Sequence, residues 1–164
     1  MRYWLTALCT IVFLFPGFAQ DAVIFEKDIE INLNEYLYFF ADSSGDLTID
    51  DIRDFSSEFK QADNDVRLGV DETVAWLRLR IHNPYDRKED AVIDFRDPSL
   101  FHITLYQINH DPLYSGTGIP QGKKNIKGNR NAFILSLSSG ETRELIIRVD
   151  SENYMTLKSY MEDD

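Results

Sequence analysis

From Val23 to Tyr160 apolar and polar residues alternate in short runs, each closed by Gly, Pro, Asn, Asp or Ser. Side chains alternate faces along an extended chain, so a period of two marks half-buried β-strands. The pattern predicts strands at 23–25, 29–33, 36–40, 74–82, 91–95, 102–108, 132–137, 143–149 and 155–160. Short strands divided this regularly by turn signals fit an all-β sandwich of two antiparallel sheets. One stretch breaks the pattern. In LTIDDIRDFSSEF the apolar Ile49, Ile52, Phe55 and Phe59 recur at helical spacing. Thr48 can cap its N-terminus, and Asp50 and Asp51 sit where the helix dipole favours anions. A short inserted helix is therefore expected at about 49–59.

The strand in TVAWLRLRIHNP carries two unlike faces. Ala75, Leu77, Leu79 and Ile81 form an apolar face and belong to the core; Val74, Trp76, Arg78, Arg80 and His82 point the other way. An indole beside two guanidinium groups suits an exposed or concave sheet surface. The indole can stack on the apolar face of a sugar, and planar guanidinium donors reach hydroxyl or carboxylate oxygens. A structural role is the alternative, with Trp76 largely buried and the arginines paired to acids on neighbouring strands, Asp94 and Glu144 being the candidates by alternation.

Charge narrows the partners. The formal net charge is −11 over 164 residues, so phosphate backbones and anionic lipid surfaces are disfavoured and no nucleic-acid partner is expected. The N-terminus MRYWLTALCTIVFLFPGFAQ joins Arg2 to an apolar run and then to Gly17 and Ala19, which reads as a secretory signal peptide over 1–19 cleaved after Ala19. Its apolar run is shorter than the roughly 20 residues that span a bilayer, and Pro16 interrupts it. The sole cysteine, Cys9, lies within this segment, so the exported domain, from residue 20 to 164, must fold on an apolar core without disulfides in the periplasm or outside the cell.

Chemistry is sparse. There is no Gly-x-Ser-x-Gly elbow, phosphate-cradling glycine loop or His-Glu-x-x-His, and His82, His102 and His110 lack the spacing of metal ligands. DSSGDLTIDD before the helix resembles a calcium loop only superficially: its fourth residue is the glycine, and Arg53 stands where a glutamate would ligate. Neither catalysis nor a cofactor nor a metal is expected. The longest loop, about 109–131, holds Tyr114 and the cations Lys123, Lys124, Lys127 and Arg130. A loop of that length is commonly functional.

The stretches RLGVDETVAWLRLRIHNP, DFRDPSLFHITLYQI and RNAFILSLSSGETRELIIRVDS together carry a resemblance. In order they hold Gly69, Trp76, Arg78, Asn83, Asp94, Pro98, Leu100, Leu105, Tyr106, Arg130, Phe133, Gly140, Glu141, Thr142, Arg148 and Val149. This pattern resembles the second, jelly-roll-like extracellular sensor domain of bacterial seven-transmembrane receptors with diverse intracellular signalling modules. The resemblance implies a jelly-roll-like sandwich, similar to carbohydrate-binding modules, that passes a ligand signal to a membrane domain. No seven-helix region follows Asp164, so the chain is either a piece of a longer receptor or a free-standing exported domain.

The expected function is therefore sensory binding of a small molecule, a carbohydrate or a small anion, through Trp76, Arg78, Arg80, Tyr106 and Tyr114. Gly116 and Gly118 would let the Tyr114 loop close over the ligand. Two rivals stand beside it: a module that docks a partner or a second copy as a homodimer through an exposed sheet, and an accessory domain acting on glycans.

Overall fold

A computed structural model of the chain describes residues 21–62, 66–68, 74–150 and 155–163. The expected signal peptide and Gly69 lie outside the described residues. The strands are β1 (Val23–Ile24), β2 (Ile31–Asn32), β3 (Tyr38–Asp42), β4 (Lys60–Gln61), β5 (Val66–Leu68), β6 (Val74–His82), β7 (Glu89–Phe95), β8 (His102–Gln107), β9 (Leu113–Ser115), β10 (Ala132–Leu137), β11 (Thr142–Asp150), β12 (Met155–Leu157) and β13 (Ser159–Asp163). The helix α1 (Ile49–Asp54) follows β3 and continues into a 3-10 turn at Ser56–Glu58.

A large sheet runs β4-β3-β6-β11-β8-β9, with β1 also on β6, and a smaller one runs β10-β7-β13-β2. All pairings in these two sheets are antiparallel except β1 with β6, which is parallel. β6 is the spine: β11 lines its whole length on one side, while β3 and then β1 share the other. A separate ribbon pairs β12 with β5.

The core lies between the sheets, where alternation sends Ala75, Leu77, Leu79 and Ile81 of β6 against Ile93 and Phe95 of β7 and Phe133 and Leu135 of β10. All of these are essentially inaccessible to water, and each large one contributes about 1.5–3 kcal/mol by leaving it. Phe95 and Phe133 meet edge to face at 6.3 Å. Buried Asn83 holds the corner between β6 and β7: its side-chain nitrogen donates towards the carbonyls of Arg87, Leu137 and Ser138, and its oxygen accepts from Tyr85 N–H. Each bond satisfies a backbone group at a place where strands leave one sheet for the other.

The inserted segment is a capped helix behind a glycine turn. Asp42 accepts from the backbone N–H groups of Ser44, Gly45 and Leu47 and from the Ser44 hydroxyl. Gly45 takes the positive φ of 71° that the turn requires. Thr48 and Asp51 then form a reciprocal capping box. Burial alone would raise the Asp42 carboxyl, but the hydrogen bonds from Ser44, Leu47 and Gly45 outweigh it and hold it below the usual carboxylate range.

The long loop is partly built into the large sheet. Its first part is the edge strand β9, and Lys124 bridges to Tyr114 and is buried, with its ammonium donating to Gly128 O. Gly116 and Gly118 serve close approach instead of hinging. A Cβ on Gly116 would lie 2.3 Å from Phe101 O, and one on Gly118 would lie 2.7 Å from His102 Nε2.

Candidate functional site

The register brings every side chain expected at the site to the outer face of the large sheet. β6 supplies Trp76, Arg78 and Arg80; β3 sets Phe40 opposite Trp76 and Tyr38 opposite Arg78. β11 sets Arg148, Ile146 and Glu144 opposite Trp76, Arg78 and Arg80 in turn. β8 then places Tyr106 opposite Ile146, and β9 places Tyr114 opposite Thr104. Because same-face neighbours on adjacent strands are in contact range, these side chains form one continuous surface.

Trp76 is not an open platform on that surface. It is fully buried, since α1 and the turn after it lay Ile52 and Phe59 over it to make a second, smaller core with Val74. Its ring stacks on Tyr106 at 6.0 Å, and the Arg148 guanidinium carbon lies 5.9 Å from it on the cation–π side. Trp76 Nε1 makes no hydrogen bond of normal geometry, although the indole is near enough to Asp42 to favour its charged form. Helical spacing in the sequence revealed the apolar stripe of α1. The partner of that stripe was not readable, because the strand's own alternation treats Trp76 as solvent-facing.

Beside the covered indole a groove of about 190 Å³ opens between α1 and the sheet. Ile49, Ile52 and Phe59 form its roof, Arg78, Glu144, Ile146 and Tyr106 its floor, and Arg53, Gln107 and Ile108 its rim. Arg78 Nε donates to Glu144 Oε1 at 2.6 Å, and both side chains are about one-third exposed, at 28% and 31%. Of the two acids expected to face the arginines, Glu144 does so. Asp94 instead lies on the smaller sheet, where Arg130 Nε donates to it at 3.0 Å. Gln107, next to Tyr106 on β8, alternates to the other face, where it stands opposite Leu145 and its side-chain oxygen accepts from Arg143. Burial pushes the Tyr106 phenol above its ordinary range against the pull of Arg148, so it stays a neutral hydroxyl at physiological pH. Ile108, 63% exposed, stands at the mouth. Arg78 and Tyr106 are thus in the groove, Trp76 underlies its roof, and Arg80 and Tyr114 lie outside its lining.

The same face ends differently beyond Trp76. Arg148 donates to Asp150 at 2.5 Å and to Gly45 O at 3.2 Å, tying the sheet to the turn that precedes α1. Burial raises the Asp150 carboxyl above the usual carboxylate range, more than Arg148 and His102 lower it. Among the described residues no three His, Cys, Asp or Glu side chains converge as a metal site. A second depression, about 230 Å³, lies by Asp94, Arg96 and Arg130 on the smaller sheet. Its arginines are engaged there with Glu30, Glu162 and Asp94, and Arg96 also covers the Tyr160 ring at 4.2 Å.

The model of a family described as 7TMR-DISM extracellular 2 matches residues 34–163. The chain belongs to that family. No curated protein matches it. As a 7TMR-DISM extracellular 2 domain it is an extracellular sensory domain of the seven-transmembrane receptor type, which places it outside the cytoplasm. Among the described residues no helix is long and apolar enough to cross a membrane. Many of the residues that carried the resemblance have structural work in this 7TMR-DISM extracellular 2 fold. Trp76 and Arg148 stack, Arg130 holds Asp94, Asn83 secures a corner, and Gly140 takes a φ of 65° in the turn before β11.

Proposed function

We propose that this domain senses a small molecule bound in the groove between α1 and the Arg78–Glu144–Tyr106 floor, without converting it, and relays occupancy to the membrane domain of a receptor. The observation that carries the reading is the juxtaposition of a partly exposed ion pair with apolar walls in one concavity. Ligand sites combine a mainly apolar lining with a few placed polar groups in this way. We also propose export through removal of residues 1–19, supported by the N-terminal pattern and expected to give a new N-terminus at Gln20 on sequencing.

Of the two ligand classes, a small anion is better supported. A carbohydrate reading relied on an exposed indole, whereas Trp76 is covered and, of the side chains expected to bind, Tyr106 and Tyr114 remain as the platforms. The rival of a docking face is weaker too, because α1 interrupts the flat sheet such an interface would use. The test is a thermal-shift screen of the protein from Gln20 onwards against glycans and metabolites. A hit should lose its stabilisation in Glu144→Gln with Arg78→Gln, and a hit insensitive to that double variant would move the site elsewhere.

A further inference from the structure

We infer that Asn125 and Arg143 mask a self-pairing edge, and that without them β10 would take up β10 of a second copy of this chain. Among the edge strands of the two described sheets, β2 and β4 have two residues each and β9 has three, whereas β10 has six. Its sequence, AFILSL, contains no charge, glycine or proline, the pattern of a segment that stacks on its own copies. A strand of this kind at a sheet edge is a template for further pairing unless something covers it.

The register identifies the groups at stake. Phe95 N–H donates to Asn131 O, so Asn131 and then Phe133 and Leu135 bond to β7, while Ala132, Ile134 and Ser136 turn their N–H and C=O groups to the free edge. Ile134 N–H donates to Asn125 Oδ1 at 2.7 Å, and Ser136 O accepts from Arg143 Nη2 at 2.9 Å. An incoming antiparallel strand uses both the donor and the acceptor of such a residue, and each of these two has one already engaged. A two-fold pairing of β10 with itself about Ile134 would be an isologous contact, and Asn125 occupies its centre. Asn125 is held there from the other sheet. Its own N–H donates to Tyr114 O on β9 at 2.9 Å, Lys124 beside it is buried, and Gln121 and Gly128 exchange two hydrogen bonds that close the loop around it. Arg143 is fixed by Glu141 and Gln107. The long loop thus seals the side of the sandwich where the edges of β9 and β10 lie open.

The experiment is analytical ultracentrifugation across a wide range of protein concentration, with amide hydrogen exchange read at Ile134. Asn125→Ala with Arg143→Gln should shift from one copy towards two as concentration rises, and exchange at Ile134 should slow in step; Asn125→Ala alone should do the same more weakly. Asn125 is exposed, so its replacement leaves the core untouched. Asn125→Asp keeps an acceptor for Ile134 N–H and should stay a single copy at this edge, as the unmodified protein does. A folded double variant that remains a single copy overturns the inference, as does association that leaves Ile134 exchange unchanged or that the unmodified protein shows equally. If the double variant does not fold, Asn125→Ala decides in the same way.

Discussion

Asp42 and Asp150 sit in one cross-strand row, each opposite Val74, yet they titrate in opposite directions. Burial disfavours both carboxylates. Four hydrogen bonds reverse the balance at Asp42, whereas Asp150 keeps one buried oxygen without a partner and its pairing to Arg148 does not compensate. With its folded pKa depressed, Asp42 contributes stability that is present above the unfolded value, near 3.9, and lost as pH falls through the folded one. Asp150 is raised, so its contribution is complete below about 3.9 and disappears as pH rises through the folded value. Asp42→Asn should therefore cost about 1–3 kcal/mol at pH 7, because its new amide would face the Leu47 N–H, with the cost shrinking as pH falls through that window. Asp150→Asn should be neutral or stabilising at pH 7. Urea unfolding at pH 7 and pH 3 checks both, and equal losses at pH 7 would contradict the assignment. At this scale the sequence made Arg78, Glu144 and Trp76 visible as one face through alternation. It could not show that Asp42 is a turn organiser, since that depends on loop N–H groups converging in space.

α1 spans only six residues, Ile49–Asp54, well below the roughly 12–15 that hold a helix in isolation. Its capping box and the burial of Ile52 on Trp76 keep it in place, so Ile52→Ala should cost about 2–4 kcal/mol and loosen the roof of the groove, whereas Thr48→Ala should cost about 1 kcal/mol. Hydrogen exchange of the α1 amides separates the two, with protection falling most in Ile52→Ala. The long loop gives a parallel series. Gly116→Ala should destabilise by about 1–3 kcal/mol, because a φ of 112° and the Phe101 carbonyl both oppose a side chain. Gly122→Ala, with open space around it, should be neutral or stabilise by up to about 1 kcal/mol. Similar melting temperatures for the two variants would contradict the close approach at Gly116. The helix and its cap were legible from spacing and from Thr48. The edge strand β9 was not, because three residues between Pro112 and Gly116 are too short a run to show alternation, and its order comes from pairing with β8.

The two-sheet sandwich follows from alternation almost throughout: Val74–His82 and Ala132–Leu137 form the strands their patterns predict. Departures occur where pairing is decided by distant chain. β1 is parallel to β6, and the final stretch divides between β12 in a ribbon and β13 in the smaller sheet. Leu77→Asp should cost more than about 3 kcal/mol or abolish folding, because it buries an unpaired charge between the sheets. The central claim is that α1 covers Trp76 and leaves the binding groove beside it, and the composition provides a direct reading: the two tryptophans are Trp4 and Trp76, so the chain from Gln20 onwards has Trp76 alone. Its steady-state fluorescence, with acrylamide quenching, should show blue-shifted emission that resists the quencher in the native protein and becomes accessible in Ile52→Ala. Red-shifted emission that acrylamide quenches freely in the folded protein would contradict the covered indole and return Trp76 to the surface as an open platform.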